Sequence, residues 1–267
     1  MEQGFARHIA ACNNTALPGT RKRLFLGAHP IGWVLPGLAA RLAQFPGVAV
    51  TAGEIRLTAG TALQPIARVL ADEGRMRWRS EAFDIRPEEA PETSLGPIDR
   101  GALPALGLIA HGVHVNGLVR RADGLFLWVA RRAADKALDP GKLDHLVAGG
   151  IPEGLDARTT LIKEAAEEAA VPAELAARAV PAGTPIAYAM ERAEGLRRDR
   201  LFCFDLDLPE DFTPRPADGE VEAFELWPIA RAVATVRETD DFKFNVNLVL
   251  IDLFCRLGLI ERDDRRR

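Results

Sequence analysis

Three cysteines stand far apart in the 267 residues, at Cys12, Cys203 and Cys255, and no C-x-x-C pair occurs. That argues against a disulfide framework and a thiolate zinc site, and a reducing compartment is the expected setting. The opening residues, MEQGFARHIAACNN, lack the long apolar stretch of a secretory leader, and no apolar run approaches a membrane span. A cytoplasmic protein without a membrane partner is expected. A basic excess is also missing: the formal net charge is −4, which argues against nucleic acid as a partner, because a polyanion binder needs a basic face. No G-x-x-x-x-G-K-[ST] loop is present, so nothing points to a kinase's nucleotide site. Aromatic residues are scarce at 6%, and Trp33, Trp78, Trp128 and Trp227 are expected in the core rather than as base-stacking platforms.

What remains is the composition of an ordinary globular protein, 48% hydrophobic and 27% charged, long enough for two modest domains. Residues 24–35 read as strand, turn and strand, with Pro30 and Gly32 marking the turn. Helices are expected over 36–45 and 62–73, and a strand over 78–85. Residues 87–104 hold four prolines and little apolar periodicity, which suggests a linker. Beyond it come strand-like runs at 106–119 and 125–132, a helix over about 157–170, and strands near 184–192, 200–208 and 221–227. Helices should follow at 227–237 and 244–258, and the final ERDDRRR reads as a solvated, frayed tail. The division expected is an N-terminal α/β unit, 1–105, and a second domain, 106–267.

The segment GGIPEGLDARTTLIKEAAEEAAVP, 149–172, carries the chemistry. At about 100° per residue, Glu164, Glu167 and Glu168 fall within one arc of roughly 100° on a helix face. Three like charges so placed repel each other unless a cation compensates. Carboxylates on a rigid helix suit Mg²⁺ or Mn²⁺, and such an ion can bridge diphosphate oxygens and polarise water. Gly149, Gly150 and Gly154 in the preceding loop let backbone approach a metal or phosphate. An isolated E-x-x-E-E is most often a solvated stripe. Its combination with a glycine loop after a strand is what gives the segment weight.

On these residues the sequence resembles the Nudix hydrolases, whose signature is G-x5-E-x7-R-E-U-x-E-E-x-G-U, with U aliphatic. Gly149 opens the motif, Glu164, Glu167 and Glu168 take its last three glutamates, and Val171 closes it. Leu155 stands where the first Glu is usual, Lys163 where the Arg is, and Ala170 where the late Gly is. In the family the first Glu braces the loop against the helix, and Glu153 and Asp156 are candidates to replace it. The chain is also similar, over nearly its whole length, to a branch labelled thiamin-pyrophosphokinase-related, which has an extra N-terminal domain. The segments that carry this likeness are GVHVNGLV (112–119), GKLDHLVAGGIPEGL (141–155), IKEAAEEAAVP (162–172), FDLDLPEDFTPRPADGEVEAFEL (204–226) and FKFNVNLVLIDLFCRLGLI (242–260).

The resemblance implies an α/β fold, an α/β/α sandwich on a mixed sheet plus a smaller N-terminal α/β domain that roofs the pocket. It implies that Glu164, Glu167, Glu168 and the Gly149 carbonyl ligate Mg²⁺ or Mn²⁺. The base is Glu168 or Glu222, with Glu222 ranked above Glu220. Candidates for holding a small-molecule diphosphate are Arg131, Arg132, Lys136, Lys163, Lys243 and Asn245. The reaction implied is cleavage of a diphosphate in a small organic molecule, thiamin diphosphate or an oxidised analogue being one substrate. Rival readings are a hydrolase of nucleoside-diphosphate-linked compounds, an isoprenoid-diphosphate isomerase using Cys203, and a ligand-binding module whose catalysis has decayed. His111 and His114 lie on opposite phases of a strand and are poor joint metal ligands.

Overall fold

The computed structural model describes residues 2–136 and 138–261. Most of the expected tail, from 262 onward, lies outside them. The N-terminal unit is built on a four-stranded sheet. Lys22–Leu26 pairs antiparallel with His29–Val34 and parallel with Glu54–Leu57, which pairs with Val48–Val50. The helix Leu63–Asp72 buries Leu63, Ile66, Ala67 and Leu70. That is the i, i+3, i+4, i+7 spacing of a helix with one apolar face. A short ladder, Ala82–Asp84 with Pro97–Asp99, and the helix Ala102–Leu106 complete this core.

Two expectations are corrected here. The turn of the first hairpin is at Gly27, whose φ is +60°, and not at Pro30 or Gly32, which lie inside the second strand. Gly32 serves a close approach instead: a Cβ there would sit 2.4 Å from the Leu106 carbonyl oxygen. Residues 97–104 are not linker, because Ile98, Ala102 and Leu103 are buried in the first core. Residues 3–12, for which the sequence pattern suggests no element, form the helix Gln3–Cys12. It packs against the C-terminal helices, with Phe5 and Cys12 in cores of the second unit.

The C-terminal unit is a mixed sheet centred on Ile109–Arg121. This strand runs parallel to Gly195–Asp207 and antiparallel to Gly124–Arg132 and Val147–Gly150. Beyond Gly124–Arg132 the sheet continues with Val221–Pro228. Alternation along the central strand sends Val113, Val115 and Val119 to one face, where they meet Leu161, Ala165 and Ala169 of the helix Ala157–Ala169. Leu118 and neighbouring apolar residues meet the helices Ile229–Glu238 and Phe244–Arg256 on the other face. The result is an α/β/α sandwich on a mixed sheet, as the sequence implied. No described helix is long and apolar enough to cross a membrane, and none of the three cysteines is in a disulfide.

Candidate active site

The helix Ala157–Ala169 starts where Asp156 caps it, its carboxylate accepting the Thr159 N–H at 2.7 Å. Leu161, Ala165 and Ala169 repeat every four residues and turn one stripe into the core. The three glutamates therefore come to the edge between core and solvent, at different depths. Glu168 is buried, Glu164 is mostly covered, and Glu167 is about half exposed. A Cβ on Gly149 would lie 2.6 Å from the Glu164 carboxyl carbon, so the glycine leaves room for the Glu164 carboxylate to lie against this strand. Glu168 accepts the Ala148 N–H at 2.9 Å, a second tie between the same two elements.

The electrostatics of the cluster follow from that packing. Burial pushes the Glu168 carboxyl well above its usual range, and the charges of Asp144, Glu164 and Glu220 push it further. Burial also raises Glu164, against the pull of Lys163. Lys163 lies 3.2 Å from Glu164 and 2.6 Å from Glu167. Glu168 has no cation at ion-pair distance among the described residues. The chemistry of these donors suits a divalent ion: they are hard oxygens on one helix face, and a bound cation would favour the ionised forms that burial disfavours.

The loop between strand and helix is braced by the N-terminal unit. The Glu153 N–H donates to the Ala82 carbonyl at 2.9 Å, and the Gly154 N–H donates to Asp84 Oδ2 at 3.1 Å. Asp84 is buried and held in turn by Arg86 at 2.7 Å and the Ser94 hydroxyl at 2.5 Å. The Phe83 ring lies against Gly150, where a Cβ would meet it at 2.5 Å. Asp84 thus occupies the bracing role expected of Glu153 or Asp156. Leu155, standing where the signature glutamate is usual, packs against the core under the helix. Ala170 takes the left-handed conformation that its motif position favours glycine for, with φ +52°.

The structure sorts the other candidates. Arg131 and Arg132 are neighbours on one strand and so face opposite ways, which prevents a joint phosphate clamp. Arg131 bonds the Gly141 carbonyl and lines a separate surface cavity with Trp227 and Arg231. Arg132 is committed to the buried Asp144 at 2.7 Å. Lys136 pairs with Glu220 at 2.5 Å. Glu222 sits at a bulge in its strand, its carboxylate accepting the Ala134 N–H. Glu220 is a carboxylate whose charge adds to the upward push on Glu164 and Glu168.

Lys243 and Asn245 are buried, and both line a cavity of about 70 Å³ that also touches Gly149, Gly150 and His111. This cavity shares Arg100, Ala110, Arg197 and Asp199 with a larger one of about 280 Å³. Sequence reasoning missed the wall residues Arg192, Arg197 and Asp199 and the brace Asp84, none of which carries a local motif. It also missed a buried group, His114, Asp144 and His145, whose ligand atoms lie within 4.8 Å of one another. There Lys243 and Arg132 already neutralise Asp144, holding its carboxyl well below the usual range despite burial. The group is a buried ion-pair network, not a vacant cation site.

A glycine strand end packed on a carboxylate-bearing helix, on a mixed sheet covered by helices on both faces, is the arrangement the comparisons can be set against. The chain belongs to the NUDIX family: the model of the NUDIX domain matches residues 110–247. It is 40% identical over 201 residues to "Nudix hydrolase 20, chloroplastic" of Arabidopsis thaliana, an alignment covering 74% of this chain and 53% of that protein. With "Nudix hydrolase 24, chloroplastic" of the same plant it shares 41% identity, covering 74% and 54%. The chain spans about half the length of the curated relatives it matches. The crystal structure of DR0079 from Deinococcus radiodurans is similar with a TM-score of 0.47 and 22% identity, over 66% of this chain and 99% of that one.

Two outcomes are expected. Ala170→Gly should raise unfolding stability by about 1 kcal/mol in urea titration, because it relieves a left-handed alanine. No gain would mean that the αL strain at Ala170 is offset elsewhere. Burial also pushes His111 and His145 down to about 4. Both stay neutral in the fold, so their contribution is complete above the unfolded value near 6.5 and is lost as pH falls from there towards 4. Unfolding free energy should drop by about 2 kcal/mol per histidine between about pH 7.5 and about pH 5. The His145→Gln variant should show a shallower slope, and an equal slope would contradict the assignment.

Proposed function

We propose that this chain is a divalent-metal-dependent hydrolase that cleaves the diphosphate of a small organic molecule, releasing a monophosphate and phosphate. The observation that carries the reading is the packing of Glu164 and Glu168 against Ala148 and Gly149, with Glu167 on the same helix face. Glu164, Glu167, Glu168 and the Gly149 carbonyl would hold Mg²⁺ or Mn²⁺. When bound, the ion supplies charge neutralisation for the diphosphate and Lewis-acid polarisation of water. Glu168, whose affinity for a proton is raised by burial, is the leading candidate to accept the water's proton. Glu222 is tied to backbone, which leaves Glu220, balanced by Lys136, as the loop carboxylate nearer the cluster. Lys243 and Asn245, which line the smaller cavity, would contact the substrate there.

The alternative of a decayed binding module rested on Leu155 and Ala170. Asp84 supplies the missing brace, and Ala170 adopts the required conformation, so both departures are compensated. An isomerase using Cys203 is disfavoured because that thiol is buried and pushed up to about 12 by burial. The finer reading, thiamin diphosphate or an oxidised analogue as substrate, is supported by the resemblance of segments such as FKFN (242–245) to the thiamin-pyrophosphokinase-related branch. Nucleoside-diphosphate-linked compounds are its competitors.

Phosphate release should be measured with Mg²⁺ on thiamin diphosphate, its oxo analogue, nucleoside di- and triphosphates and sugar nucleotides. Turnover of at least one compound is expected, with kcat lowered about a hundredfold or more in Glu168→Gln. Silence across the panel, or full activity in that variant, would overturn the proposal.

A further inference from the structure

Arg131 and Arg132 are consecutive on the strand Gly124–Arg132, and the pleat sends them to different destinations. Arg132 goes inward to the buried Asp144. Arg131 is exposed and goes to the wall of a surface cavity of about 460 Å³. Three elements bring cations to that cavity. The strand supplies Arg131, the loop 140–142 supplies Lys142, and the helix Ile229–Glu238 supplies Arg231. The wall shares no residue with the cavities that Lys243 and Arg197 line.

Neither Arg131 nor Lys142 has a carboxylate at ion-pair distance among the described residues. Arg131 donates one N–H to the Gly141 carbonyl at 3.1 Å, and Lys142 donates to the Asp240 carbonyl. A guanidinium carries five N–H groups and an ammonium three, so most of these donors have no protein acceptor. Arg231 is held over the Trp227 ring, its guanidinium carbon 3.6 Å from the centroid. Glu225 secures that stack, accepting the Trp227 Nε1–H at 2.9 Å and lying 3.7 Å from Arg231. The cavity wall itself carries one carboxylate, Asp241. Three cations thus stand against Asp241 and Glu225, and the balance is positive. Backbone fixes the wall: the Leu143 N–H donates to the Asp241 carbonyl and the Lys243 N–H to the Leu143 carbonyl, each at 2.9 Å. The cations are therefore in place before any ligand arrives.

A phosphate group is the occupant that this chemistry suits. Its tetrahedral dianion offers acceptor oxygens to donors arriving from three directions, and guanidinium–phosphate bonds are charge-assisted. The concave shape admits a small molecule, while a formal net charge of −4 disfavours a nucleic acid backbone. We propose that this cavity is a phosphate site separate from the carboxylate cluster. It binds inorganic phosphate or the phosphate group of a small monoester through Arg131, Lys142 and Arg231. The proposal goes beyond the hydrolase reading and does not depend on it.

The test is a titration of the full chain at low ionic strength with a chelator present, so that the glutamate cluster holds no ion. Inorganic phosphate and glycerol phosphate are added separately, and binding is followed by phosphorus NMR. Saturable binding of at least one is expected, with a Kd of about 1 mM or tighter. It should weaken about tenfold or more in Arg131→Met combined with Lys142→Met, and about threefold in Arg131→Met alone. A control, Arg120→Met combined with Arg121→Met, removes the same charge at the hairpin at the far end of the strand and should change affinity by less than about twofold. Tighter binding of inorganic phosphate assigns the free ion as occupant, tighter binding of the ester assigns a phosphomonoester, and equal binding means that the phosphate group alone is read. No saturable binding of either compound, no weakening in the first pair, or equal weakening in the control, would overturn the proposal.

Discussion

Glu168 and Glu164 are carboxylates one helical turn apart, drawn under cover by the same packing that holds their helix to the sheet. Burial favours their protonated forms, and each makes the other harder to ionise. A chain under pressure for stability alone would place apolar residues there, as it does one turn away with Leu161, Ala165 and Ala169. The glycine at 149 fits this arrangement: a side chain there would displace the Glu164 carboxylate from its place against the strand. Two carboxyl groups are thereby held where ionising them is costly, and a divalent cation is what would offset that cost.

The N-terminal unit is bound into this arrangement and is not an appendage beside it. Its strand Ala82–Asp84 hydrogen-bonds the loop that leads into the carboxylate helix, and Phe83 closes against Gly150. A NUDIX signature normally carries a glutamate where this chain has Leu155. Here an aspartate roughly seventy residues away in sequence holds the loop. The first helix adds a further tie by packing Phe5 and Cys12 into the C-terminal cores. The geometry of the loop therefore depends on its contacts with the N-terminal unit.

Much of this was legible in the sequence because the signals were local. The E-x-x-E-E spacing, the glycines before it and the apolar repeat of the helix all sit within about two dozen residues. The strands around 109–132 and 186–207 were readable from alternation and β-branched content. What escaped depends on distance in sequence. Asp84 reads as one more loop acid, and only the fold brings it to Gly154. Arg131 and Arg132 look like a clamp in sequence, yet adjacent strand positions face opposite ways, and Arg132 is spent on Asp144. The proline-rich stretch 87–104 reads as linker, but Pro97 opens a strand, where a missing N–H is tolerated at an edge.

The central claim is that Glu164, Glu167 and Glu168 form a cation site, and it is tested most directly by titrating Mn²⁺ into the full chain and observing bound ion by electron paramagnetic resonance. Saturable binding in the wild type is expected, weakened about tenfold or more in Glu168→Gln and Glu164→Gln, with both variants retaining the wild-type fold by circular dichroism. Absence of saturable binding, or binding indifferent to both substitutions, would contradict it.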